Sequence, residues 1–246
     1  MFPIRDHNPS GRTPFVTLAL IAANVLVFLS YWFGLPDGPA LDQFFFDWGL
    51  IPLRLIEMGD WQTVFTSMFL HGGWMHLLGN MLFLWVFGDN LEDLMGHARF
   101  LLFYLAGGVG AAALQVGADP ASVIPMVGAS GAIAAVMGGY LLMYPRARVD
   151  VLVIIIIFFR IFPIPAWIVL GFWFAMQLLG GFTNPTDMGG VAYWAHAGGF
   201  LAGIILCLPA FLRRGGPAFW RRTAGHPDHP EASYAASRLP VVRRRR

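Results

Sequence analysis

Long, evenly apolar runs alternate with short polar stretches along most of the chain, and the runs are too long for strands. The first covers about residues 14–33. At about 1.5 Å of rise per residue, ~20 residues in a helix match a hydrocarbon core of about 30 Å. Further runs follow at about 74–88, 100–116, 130–144, 166–182 and 192–212. Each reads as a membrane-crossing helix, which predicts an all-α fold: a polytopic membrane protein built as a six-transmembrane-helix bundle. The first run follows a polar segment and is not followed by a small-residue cleavage site, so it reads as a retained helix.

Three parts result: an N-terminal segment at 1–13, a membrane domain at 14–212, and a basic tail at 213–246. The tail is rich in Pro, His, Ser and Arg and is expected to be disordered, with His226 and His229 solvated rather than metal-binding. The connection 34–73 carries both charges and aromatics, including Phe44, Phe45, Phe46, Trp48 and Trp61. Such a mixture belongs in a membrane interface or in an ordinary folded loop. Residues 151–159 form a β-branched apolar run too short to span as a helix, and so read as a buried or interfacial connector, partly extended.

Composition agrees with a membrane protein. Hydrophobic residues make up 57% and charged ones 12%, against about 25% charged in an average soluble domain. The single cysteine, Cys207, rules out an intrachain disulfide. Net charge is only +2, but its distribution is informative. All basic charge is arginine. With six spans, Arg54 falls alone on one side, while the other fifteen fall on the side of the termini. The positive-inside rule then places both termini in the cytoplasm. The expected location is the inner membrane of a bacterial cell.

With the spans so placed, Ser130, His76 and His196 share the outer leaflet. Ser130 opens a run, 128–139, that begins Gly128-Ala-Ser-Gly131. Glycines there keep the hydroxyl accessible, and N–H groups at a helix start have no intrahelical partner. Ser130, Ala134 and Gly138 recur every four residues, which gives one small-residue face. His196 lies early in the last run, with Gly199 and Gly203 on its face of the helix. Pressed together, these two faces bring Ser130 and His196 within hydrogen-bonding range. A histidine there can take the serine proton during attack and return it to the leaving amine. His76 and Asn80 are spaced i, i+4 and can donate to a developing oxyanion. No carboxylate lies inside these spans. Asp187 is in a loop, so a dyad is the simpler expectation. Gln115 either holds water or caps backbone. Each residue also has a plainer reading, a packed histidine or an interhelical hydrogen bond.

The ordered set His71-Gly-Gly-Trp-Met-His76-Leu-Leu-Gly-Asn80, Gly128-Ala-Ser130-Gly131 and Ala195-His196-Ala-Gly-Gly199 resembles the rhomboid intramembrane serine proteases over about residues 14–212. The resemblance implies Ser130 as nucleophile, His196 as base, His76 and Asn80 as oxyanion donors, and His71, Gly128, Gly131 and Gly199 in support. It also implies a structural role for Leu91-Glu92 and Gly96, and a half-submerged loop at 34–73. Many members of that family stack an aromatic ring on the catalytic histidine from the position four after the serine. Ala134 stands there, so the ring would come from Trp194 or a neighbour.

The expected reaction is hydrolysis of peptide bonds in or near transmembrane segments of other membrane proteins, without cofactor, metal or nucleic acid. Transmembrane substrates and membrane lipid are the expected partners. A polytopic transporter is the first rival, since intramembrane polar groups also mark transport paths. A non-catalytic membrane protein binder is the second. The run at 166–182, with Phe172, Trp173 and Phe174 and few small residues, is the expected lateral gate.

Overall fold

The computed structural model describes residues 2–8, 10–36, 38–155, 158–184 and 190–227. Strand β1 (Phe2–Asp6) leads to helix α1 (Phe15–Gly34). Short helices α2 (Pro39–Trp48), α3 (Pro52–Met58) and α4 (Gln62–Thr66) follow, then a tight helical turn at Ser67–Phe69. The long helices α5 (Trp74–Met95) and α6 (His97–Ala118) precede α7 (Ser130–Met143). After α7 come β2 (Arg148–Ile155), β3 (Phe158–Pro165), α8 (Ala166–Thr183), α9 (Tyr193–Arg213) and α10 (Pro217–Thr223).

The chain is mostly helical, and four of these helices are long and apolar enough to cross a membrane: α1, α6, α8 and α9. Helix α5 is as long but ends with Asp89, Glu92 and Asp93. Helix α7 has only 14 residues, about 21 Å. It is the centre of the molecule, and residues 131–140 are all buried. Glycines set its spacing to both partners. A Cβ on Gly107 of α6 would collide with Ala135, and one on Gly131 with Ala111. A Cβ on Gly199, Gly203 or Gly138 would strike the facing backbone at Gly131, Ala135 or Phe200. Three helices thus pack backbone to backbone, as small-residue membrane interfaces do.

The first turn of α1 is preceded by Pro14 and has no cap of its own. Glu92 supplies one from α5. Its carboxylate accepts N–H groups of Val16 at 2.8 Å and Thr17 at 2.7 Å, and the Thr17 hydroxyl at 2.7 Å. His97 Nδ1 lies 2.6 Å away. Free N–H groups and the helix dipole both favour that negative charge. For the same reason α5 runs seven residues beyond the expected end at Gly88: its last two turns are tied to the N-terminal segment.

The connector is extended, in line with its reading as partly extended, while two departures from the sequence expectation concern the all-α fold class and the ends. The fold is not wholly α, because β1, β2 and β3 form an antiparallel sheet in that order. The run 148–153 alternates Val149, Val151 and Val153 with Arg148, Asp150 and Leu152, and pairing meets the backbone hydrogen bonds that a run too short for a membrane helix would leave open. The polar segment before α1 joins as β1, where Arg5 and His7 hold Asp150 at 2.6 and 2.7 Å. The expected disorder from 213 onward also begins too early. Phe219 of α10 is buried against Phe211, Trp220 donates to the Leu142 carbonyl at 2.9 Å, and Arg146 N–H bonds Gly225. Two aromatic anchors among the arginines are enough to dock this helix, and average composition hides them. His229 and the rest of 228–246 lie outside the described residues, as does Asp187.

Candidate active site

The turn into α5 is fixed from α1. Tyr31 donates its hydroxyl to the His71 carbonyl at 2.7 Å and accepts the His71 N–H at 2.8 Å. One turn on, His76 Nδ1 accepts the Gly72 N–H at 3.4 Å, which leaves the proton on Nε2. That nitrogen faces Gly128. A Cβ at Gly128 would stand 2.8 Å from His76 Nε2 and 3.4 Å from Ser130 Oγ. Glycine is therefore needed twice here, for its φ of 131° and for the open space between imidazole and hydroxyl. The Gly128 N–H bonds the Ser67 carbonyl at 2.9 Å, so the tight turn Ser67–Phe69 holds this loop in place.

Ser130 is the first residue of α7. His196 lies in the first turn of α9, and the two meet where these helices press together. His196 Nε2 is 2.8 Å from Ser130 Oγ. On the other side of the ring, Nδ1 is 2.8 Å from Gln177 Oε1 of α8, and Gln177 Nε2 donates to the Trp173 carbonyl at 3.2 Å. The hydrogen bonds agree on one tautomer. Gln177 presents an oxygen, so Nδ1 carries the proton and Nε2 is free to accept from the serine. The Trp173 ring lies beside the imidazole, centroids 5.6 Å apart and tilted by 36°. Trp194 instead packs on Phe182 and over Gly181. The ring beside the histidine therefore comes from α8, four residues before the amide that holds it.

These groups line a cavity of about 770 Å³, whose wall includes Ser130, His196, His76, Asn80, Gln115 and Gly128. Asn80 Nδ2 is buried there with no protein partner. Gln115 Oε1 accepts the Ala195 N–H at 3.1 Å and so caps α9. His71 does not line the cavity. It is fully buried, edge-on to His76 at 5.0 Å, and contributes mainly through the backbone that Tyr31 grips. Gly131 and Gly199 act through packing: the Gly131 carbonyl fills the space where a Gly199 side chain would be. Among the described residues, no three His, Cys, Asp or Glu side chains are grouped to share a metal ion.

Gln177 is the residue that motif reading misses. Its signal was available: a buried amide inside an 18-residue apolar helix. Such a group is costly in lipid unless it is bonded, and so usually has a task.

A family model described as "Rhomboid domain" matches residues 58–213. The chain is 32% identical over 203 residues to "Rhomboid protease GluP" of Bacillus subtilis (strain 168), covering 80% of this chain and 36% of that protein. It is 28% identical over 172 residues to "RHOMBOID-like protein 5" of Arabidopsis thaliana, 67% of this chain and 49% of the relative. It is 29% identical over 197 residues to "Rhomboid protein 1, mitochondrial" of Saccharomyces cerevisiae (strain ATCC 204508 / S288c), 76% and 51% respectively. The chain thus matches between about a third and a half of the length of these relatives.

Proposed function

The chain belongs to the rhomboid family and is an integral membrane protein, and from that premise we propose that it is an intramembrane serine endopeptidase working through a Ser130–His196 dyad. The observation that carries this is the chain of contacts Ser130 Oγ–His196 Nε2 and His196 Nδ1–Gln177 Oε1, each 2.8 Å, with Ser130 and His196 at the wall of the cavity. His196 takes the hydroxyl proton as Oγ attacks the scissile carbonyl carbon. The C=O pair moves onto oxygen, and the oxyanion meets His76 Nε2–H and Asn80 Nδ2–H across the gap left by Gly128. His196 then gives its proton to the leaving amine. Water from the cavity attacks the acyl-enzyme, with His196 again taking the proton and Ser130 recovering it. Gln177 keeps the imidazole in the required tautomer and orientation.

Substrates in this reading are transmembrane segments of other proteins, opened near the outer face, since an intact helix hides its carbonyls in hydrogen bonds. The catalytic unit in this reading is 14–212 in six spans, with α5 and α7 joining the four helices that are long and apolar enough to cross. The arginine asymmetry supports a reading with the 1–13 segment and the 213–246 tail on the cytoplasmic side of a bacterial inner membrane.

The test uses the purified chain in liposomes with a transmembrane substrate and a fluorophosphonate probe. The probe should label wild type and not Ser130→Ala, and Ser130→Ala and His196→Ala should each abolish cleavage. Alanine at His76 or Asn80 should lower turnover by roughly 10²–10³, the cost of one oxyanion donor. Cleavage that survives in Ser130→Ala overturns the proposal.

A further inference from the structure

A second concavity lies at the opposite end of the bundle, where the start of α6 meets the end of α9. Its volume is about 430 Å³. Arg99, Arg213 and Arg214 form its rim, and its walls are apolar: Leu102 and Ala106 from α6, Leu206 and Pro209 from α9. Arg99 and Ala106 are seven residues apart, as are Arg213 and Leu206. Seven residues of helix is about 10 Å. Both walls therefore run the same two turns from a cationic rim to an apolar floor. Pro209 has no N–H to offer the Ile205 carbonyl one turn back, a point where helices bend.

The rim charge is not spent inside the protein. Arg99 and Arg213 are exposed, and neither has an ion pair or hydrogen bond from its side chain among the described residues. The nearby acids are already engaged: Glu92 with the start of α1, and Asp93 with Arg12 at 3.4 Å and the Gly11 N–H. Arg214 is fixed by donating to the Leu94 carbonyl at 3.0 Å, which ties the end of α9 to the end of α5.

We propose that this groove binds an anionic phospholipid from the leaflet on the side of the chain's termini, its phosphate between Arg99 and Arg213 and an acyl chain along the Leu102–Leu206 walls. The charge selects a phosphodiester with net negative charge over a zwitterionic one. The two-turn apolar depth selects a lipid over free phosphate, which would satisfy the rim and leave the walls bare. Arg214 orients the rim by holding α9 to α5. The site lies away from the catalytic cavity and does not depend on that chemistry.

The experiment is native mass spectrometry of the full chain in mild detergent with equimolar phosphatidylglycerol and phosphatidylcholine. Wild type should retain phosphatidylglycerol preferentially. Arg99→Gln/Arg213→Gln, which leaves Arg214 in place, should reduce that preference about thirtyfold, as expected for two interfacial arginines. Ala106→Phe, at an exposed position, fills the apolar wall with the rim intact and should also reduce retention. Both variants should keep the thermal midpoint and the Ser130 probe labelling of wild type. Equal retention of both lipids by wild type, or an unchanged preference in Arg99→Gln/Arg213→Gln, overturns the proposal. Displacement of phosphatidylglycerol by excess inorganic phosphate, or retention unaffected by Ala106→Phe, reduces the site to a bare anion contact and overturns it as well.

Discussion

In the proposed dyad the base is held by an amide, not a carboxylate. A carboxylate would both orient the imidazole and offset its positive charge; Gln177 can only orient it and accept its proton at Nδ1. Because that bond faces a ring that becomes charged in the transition state, losing it should cost ~1.5–3 kcal/mol. Gln177→Leu is therefore expected to lower kcat roughly 10- to 100-fold with little change in KM. Gln177→Glu keeps an oxygen at the same place and should recover part of the rate. Kinetics on a fluorogenic transmembrane peptide in liposomes decide this; an equal loss in Gln177→Leu and Gln177→Glu would point to packing alone.

The helices divide into a rigid set and a looser one. Helices α6, α7 and α9 meet at glycine seams where one added methyl collides with backbone or a facing Cβ. Helix α8 instead meets α9 through side chains: Phe174 stacked on Phe200 at 4.6 Å, Tyr193 over Gly180 and Trp194 over Gly181. Its outer face, with Trp167, Phe172, Met176 and Leu179, is exposed. Side-chain contacts of this kind can separate and re-form, whereas interlocked backbones cannot, which supports the expectation that α8 is the element to admit a substrate helix from lipid in the proposed reaction. Trp173 flanks the histidine, so changing it would disturb the base as well as the gate. Phe174 gives the cleaner test. Phe174→Ala should speed cleavage of a membrane-embedded substrate several-fold, about what the loss of a stacked pair implies, and leave a soluble peptide unaffected. A parallel change for both substrates would rule α8 out as the gate.

At the scale of the whole molecule, the end of the bundle that carries the β-sheet and α10 is tied together by charge. Alkaline phosphatase fused after Arg246 in a bacterial host should be inactive if that side is cytoplasmic; an active fusion reverses the orientation. On the same side, Asp6 is buried beneath the sheet, with Tyr140 donating to it at 3.0 Å and Asn90 at 2.5 Å. Burial, then the charge of Asp89, push its carboxyl up to about 7, against the lowering effect of those hydrogen bonds. A carboxyl raised on folding binds its proton more tightly in the native state. Its contribution is therefore full below the ordinary range near pH 4 and is lost as pH rises through 7, by up to about 4 kcal/mol. Asp150 differs: burial raises it, but His7 and Arg5 outweigh burial and hold it below the usual range, so its contribution is lost only in acid. Thermal unfolding in detergent should show wild type losing stability between about pH 4 and 7, with Asp6→Asn nearly flat across that window. A wild-type profile as flat as that of Asp6→Asn would contradict the assignment.

The positions of the helices were legible in the sequence because lipid imposes one local requirement, a sustained apolar run whose backbone bonds to itself. Starts at Phe15, Trp74, Ser130, Ala166 and Tyr193 fall within one residue of the expected ones, and the start of α6 within three. The pairing of Ser130 with His196 could be anticipated because glycines at fixed helical spacing declare which faces must touch. What required the tertiary structure was every role decided by a partner distant in sequence. Gln177 is one amide in an apolar helix until α8 sets it against His196. Glu92 is an acid in a turn until α1 arrives with uncapped N–H groups. The strand character of residues 2–6 exists only against 149–152, and the order in α10 only against Phe211 and Leu142. Local sequence fixes hydrophobic period and helix starts, while a buried polar group is defined by whichever distant chain satisfies it.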